Sequence, residues 1–106
     1  MKRKYDEEEL LKLKRNARSI KYGKELIKKY PDKFDWKYMS KYQKLSESFI
    51  REFQDKVDWF WISKHQNFSE EFFWEFIDKI YIEGFKENEY WKDKMPSTIK
   101  LFLEVK

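Results

Sequence analysis

Between Asp35 and Ile80 the apolar and polar positions follow one pattern twice, with a period of 23 residues. The segment reads DWKYMSKYQKLSESFIREFQDKV (35–57) and then DWFWISKHQNFSEEFFWEFIDKI (58–80), with 12 of the 23 positions identical. Within each copy Trp36, Met39, Ser40 and Gln43, or Trp59, Ile62, Ser63 and Gln66, follow the i, i+3, i+4, i+7 spacing of one helix face, and Asp35 or Asp58 stands where an N-cap belongs. Ser46 or Ser69 then opens a second helix with a glutamate next to it. Phe34 with Met39, Val57 with Ile62, Leu45 with Ile50 and Phe68 with Phe73 stand at the N′ and N4 spacing of hydrophobic staples. Each copy therefore predicts a helix–turn–helix unit. Helices of two to three turns are marginal in water by themselves, so each unit must be held by its neighbours.

The frame extends less clearly in both directions. Leu10, Leu13, Ala17 and Ile20 predict a helix from Asp6 to about Tyr22, with Glu7, Glu8 and Glu9 in the first turn, where the helix dipole favours negative charge. Residues 23–34 align with 46–57 as a divergent copy whose helix stops before Pro31. After Ile80 the frame fades: Ile82 and Phe85 still fall on apolar positions, but Pro96 lands inside the expected second helix. Ser97 to Lys106 alternates Ile99, Leu101, Leu103 and Val105, which leaves two readings, a final helix or a short edge strand that pairs across a homodimer. The expected architecture is a single all-α domain, a small solenoid-like stack of helix–turn–helix units. Its parts are a basic N-terminal helix with a divergent repeat (6–34), two clear repeats (35–57 and 58–80) and a degenerate C-terminal cap (81–106).

Ser40 and Ser63, small and on the buried face, are expected to bond back to a carbonyl of the preceding turn. Gln43 and Gln66 are expected to tie the inter-helix turn through their amides, since a buried amide needs partners.

Composition narrows the function. Aromatic residues make up 21% of the chain and charged residues 42%, and so much ring area argues for a packed core in spite of the charge. The absence of cysteine excludes disulfides, thiolate metal sites and cysteine nucleophiles. The two glycines, Gly23 and Gly84, make no phosphate loop, and the single histidine, His65, has no second metal-ligand type beside it. No catalytic residue, metal or cofactor is expected. No apolar run is long enough to span a bilayer and residues 1–16 contain no signal-peptide core, so a cytosolic location is expected.

Charge is uneven: residues 1–33 carry 12 Lys/Arg against 6 Asp/Glu, whereas 34–80 carry 7 against 9. Lys14, Arg15, Arg18, Lys21, Lys24 and Lys28 are therefore the candidates for contact with nucleic acid or an acidic partner. The other candidates lie where the second copy departs from the first. Lys37 becomes Phe60, Tyr38 becomes Trp61 and Arg51 becomes Trp74. On a helical wheel Trp74 falls outside the core arc, among Glu71, Glu75 and Asp78. Trp61 and Tyr38 fall opposite the buried face of their helices. Phe60, Trp61 and Trp74, with Tyr38 beside them, are the expected partner-binding residues, because tryptophan anchors binding hot spots more often than other residues do.

The pattern W-x-x-[MI]-S-K-x-Q-x-[LF]-S-E-x-F-[IF]-x-E-F-x-D-K-[VI], at 36–57 and 59–80, resembles a short tandem helical repeat of proteins from bacteriophages, large DNA viruses and their low-GC bacterial hosts. The resemblance implies a binding module without catalytic residues. For a small phage-type chain it further implies an inhibitor of a host defence system, such as an anti-CRISPR protein. A protein partner is the leading expectation, and nucleic-acid binding through the basic N-terminal helix is the alternative.

Overall fold

The structure, a computed structural model, describes residues 24–105, with side chains described from Leu26 onward. The helix expected over 6–22 lies outside the described residues. Seven α-helices and one short 3-10 turn follow. They are α1 (Lys24–Lys29), the 3-10 turn Pro31–Lys33, α2 (Trp36–Tyr42), α3 (Glu47–Glu52), α4 (Trp59–His65), α5 (Glu70–Glu75), α6 (Ile82–Phe85) and α7 (Ser97–Glu104). The fold is all-α.

The caps sit where the local chemistry puts them. Asp35 and Asp58 accept from the backbone N–H of Tyr38 and Trp61, and Ser46 and Ser69 accept from Phe49 and Phe72. Each supplies an acceptor to one of the orphan donors of a helix start. All eight staple residues are buried in one core. Ring geometry repeats as well. Trp36 lies 5.3 Å from Phe53 and Trp59 lies 5.1 Å from Phe76, while Phe49–Phe53 and Phe72–Phe76 are both 4.7 Å apart. Each indole N–H donates to a carbonyl five residues back, Trp36 to Pro31 and Trp59 to Gln54. Two polar ends are thereby satisfied inside an aromatic core.

Helix α4 packs between α2 and α6. The hydroxyl of the buried Ser40 accepts from the Asp58 N–H, at the start of α4. The hydroxyl of Ser63 accepts from the Tyr81 N–H, at the start of α6, and donates to Trp59 O at 2.7 Å. The back-bond of Ser63 was legible from the sequence, whereas the link of each serine to the following helix was not.

The glutamine reading needs correction. The Gln66 amide reaches across to the preceding unit instead of tying its own turn. It donates to Ser40 O and Gln43 O (2.8 and 2.7 Å) and accepts from Leu45 N (2.9 Å). Those carbonyls end α2, where no intrahelical donor exists, so Gln66 caps α2 from the neighbouring unit. Asn88 repeats the arrangement one step on, donating to Ser63 O and Gln66 O at 2.8 and 3.0 Å.

The segment after Ile80 decides between its two sequence readings in favour of the final helix. Ser97–Glu104 is helical, and there is no strand among the described residues, so the edge strand proposed to pair across a homodimer is not formed. The alternation of apolar residues concealed a helix face. Ile99 is buried, with Phe102 and Leu103 packed on the core at i+3 and i+4, while Leu101 and Val105 point outward. Pro96 falls immediately before the helix, where its missing N–H costs nothing.

Candidate partner-binding face

Because the first helices of successive units pack side by side, the residues opposite their buried faces form a row. Tyr38 and Tyr42 sit one turn apart on α2 with ring centroids 4.8 Å apart. On α4, Trp61 stacks on His65 at 5.3 Å and 15°, and Phe60 meets Trp61 edge-on at 5.0 Å. Lys41 joins the two helices, its Nζ lying 4.2 Å from the Trp61 ring centroid and 5.0 Å from that of Tyr42. Phe60 continues the row to Tyr81, 5.9 Å away at the start of α6. Tyr38, Phe60 and Trp61 are half-buried, Tyr42 is 60% exposed and Tyr81 55% exposed. None of these rings belongs to the core cluster.

The structure therefore brings together three of the four expected aromatic residues, Tyr38, Phe60 and Trp61, and separates the fourth. Trp74 makes its contacts on α5 and α7. Its ring lies 4.9 Å from Phe73 and 5.3 Å from Phe102, and its indole N–H donates to Glu70 Oε2. Thr98 donates to the same carboxylate oxygen at 2.7 Å. These hydrogen bonds, Thr98 first and then Trp74, hold the Glu70 carboxyl below its usual range. At 38% exposure Trp74 has a free edge, but its ring helps to seat the last helix through Phe102.

Sequence reasoning passed over Tyr42, Lys41, Lys64 and Tyr81 and gave His65 no binding role. The i, i+4 spacing of Tyr38/Tyr42 and Trp61/His65 was an available signal, since residues so spaced share a helix face.

Electrostatics divide the two sets of helices. Along their exposed faces α2 and α4 carry Lys37, Lys41 and Lys64 and no carboxylate, whereas α3 and α5 carry Glu47, Glu52, Glu70, Glu71 and Glu75 against Arg51. Much of that second set is engaged internally. Arg51 bonds Glu75 through Nε and Nη2 at 2.9–3.1 Å and lies over the Phe72 ring, and Glu47 Oε2 accepts from Ser69 N at 2.6 Å. On the lysine side, burial first and then the charges of Lys64 and Lys41 keep the His65 imidazole below its usual range.

Of the basic candidates, Lys14, Arg15, Arg18 and Lys21 lie outside the described residues. Lys24 lies on α1 with its side chain outside them too, and Lys28 is exposed and paired with Glu52. Among the described residues no three His, Asp or Glu side chains are grouped so that they could hold a metal ion, and no helix is long and apolar enough to cross a membrane.

No protein-family model matches the chain, and no curated protein or solved structure matches it either.

Proposed function

We propose that the protein is a non-enzymatic protein-binding module whose contact face is the row Tyr38, Tyr42, Lys41, Trp61, Phe60 and Tyr81. The observation that carries this reading is Lys41 held between the rings of Tyr42 and Trp61 across two units. Large, rigid, amphipathic rings lie outside the core beside a cation, and such rings bury much area on contact at little entropic cost. A protein surface suits the row better than a phosphate track. From α2 to α5 lysine-bearing and glutamate-bearing helices alternate, and a nucleic-acid groove would need a continuous run of positive charge. The setting implied by the repeat resemblance is inhibition of a host defence effector, where a module without catalytic groups acts by occupying a surface. Trp74 is a peripheral contributor in this reading.

Affinity capture from host extract with wild-type, Trp61→Ala, Tyr42→Ala and Trp74→Ala proteins tests it, with circular dichroism confirming that each variant folds. The expected result is a partner protein retained by the wild type and by Trp74→Ala but lost from Trp61→Ala and Tyr42→Ala. Equal capture by all four overturns the reading. So does retention of nucleic acid alone with a steep salt dependence.

A further inference from the structure

Where α2 and α4 end and their turns begin, a cleft of ≈ 420 Å³ opens beside the aromatic row. Its lining includes Lys41, Lys44, Tyr42, His65 and Asn67 and contains no carboxylate. The polar groups of its floor are already engaged: Gln66 makes its three bonds to the α2 end, and the Ser46 hydroxyl accepts from Phe49 N. Among the described residues no carboxylate lies within ion-pair distance of Lys41 or Lys44, whereas Lys28 and Lys64 each have one and Arg51 has two.

The chain itself shows what belongs there. One period after Lys41 stands Lys64, and its Nζ pairs with Glu87 Oε1 at 3.0 Å across the step from α4 to the segment after α6. One period before Glu87 stands Lys64. At the α2–α4 step the position that holds a carboxylate in the next step is therefore occupied by a second lysine. Two ammonium groups face the same indole, Lys41 at 4.2 Å and Lys64 at 5.6 Å from the Trp61 centroid. Lys64 is neutralised by Glu87, but Lys41, nearer the half-buried Trp61 ring, has no carboxylate of the described residues to pair with. That is an arrangement an incoming anion stabilises, because its ion pairs form next to apolar walls instead of in bulk water.

We infer that this cleft binds an acidic side chain of a partner protein. A glutamate or aspartate would take, between Lys41, Lys44 and His65, the role that Glu87 takes within the chain one step further on. The inference rests on the proposed contact face and adds to it the partner's chemistry, a segment with carboxylates flanking whatever packs on Trp61 and Tyr42. Carboxylate is favoured over phosphate because the in-chain counterpart is a carboxylate and the adjoining α3 and α5 faces are acidic, which repels a polyanionic backbone.

The test is a heteronuclear NMR titration of the full chain with three probes: a short peptide containing three consecutive glutamates, the same peptide with glutamines, and an oligothymidylate. Saturable shifts are expected at the amides of Lys44, His65 and Asn67 and at the Trp61 indole with the glutamate peptide only, together with a rise in the His65 pKa. Affinity should fall about tenfold or more in the Lys41→Gln, Lys44→Gln double variant, which removes two surface cations. Equal shifts with the glutamine peptide, stronger binding of the oligonucleotide at the same residues, or no weakening in the double variant overturns the inference. Failure here is separable from failure of the contact face. If Trp61→Ala abolishes partner capture while the double lysine variant retains it, the acidic-partner inference falls and the face stands. If Trp61→Ala captures normally the face falls, and the peptide titration decides the cleft by itself.

Discussion

Replacing Gln66 with leucine removes a side chain of similar volume and all three of its bonds to the preceding unit, to Ser40 O, Gln43 O and Leu45 N. Gln66 is 4% exposed, so the groups left behind do not simply return to water. A net hydrogen bond contributes about 0.5–1.5 kcal/mol, and a buried group left without its partner costs more, about 1–3 kcal/mol. Ser40 O is buried deeply, whereas Gln43 is half-exposed and its carbonyl beside the cleft can be rehydrated. The expected loss is thus about 3 kcal/mol, a large share of the roughly 5–15 kcal/mol that holds a small domain together. Urea unfolding followed in parallel by far-ultraviolet circular dichroism and tryptophan fluorescence measures it. The midpoint should fall with the slope unchanged if the units still unfold together, and the two probes should separate if loss of the link uncouples them. A loss below about 1 kcal/mol with coincident probes would refute the idea that this amide seats one unit on the next.

Two further expectations follow from the same geometry. Ser46→Ala and Ser69→Ala should each cost about 1 kcal/mol in urea melts, and their sum should hold to within about 0.5 kcal/mol. Negligible loss at both would show that the caps are replaced by water. The second concerns pH. Burial first, and then the charges of Lys64 and Lys41, keeps the His65 pKa below its unfolded value of about 6.5, so the unfolded chain takes up the proton first. His65 therefore favours the fold most above that value, and its contribution is lost as pH falls toward the folded pKa. The urea midpoint should decline as pH is lowered from about 7 toward 5, and His65→Asn should flatten that decline. A flat wild-type profile over this window would show that the imidazole does not sense the two lysines.

The period of 23, both pairs of caps, the four staples and the small buried serines were legible because each is local. An N-cap needs only the next three residues, and an apolar face needs only its own helix. Trp36 and Trp59 read as core for the same reason, and they do pack on Phe53 and Phe76. What escaped was every contact whose partner lies a whole unit away. The Ser40 hydroxyl meets the Asp58 amide 18 residues on, and the Gln66 amide meets Ser40 26 residues back. No spacing rule within one helix encodes such distances.

The C-terminal segment shows the same division. Ile99, Leu101, Leu103 and Val105 satisfy a period of two, while Ile99, Phe102 and Leu103 satisfy a helix face, and only the presence of α5 beneath them, with Glu70 receiving Thr98, selects the helix. The candidate face was half legible. The exchange of Tyr38 and Lys37 for Trp61 and Phe60 marked the helices on which the aromatic row lies, but the sequence could not show that Lys41 would be clasped between Tyr42 and Trp61, or that Trp74 would turn toward Phe102. Local chemistry determined which residues cap, staple and bury. Packing of one helix against another decided which of the remaining residues meet, because that depends on the spacing between units and not on the order of residues within them.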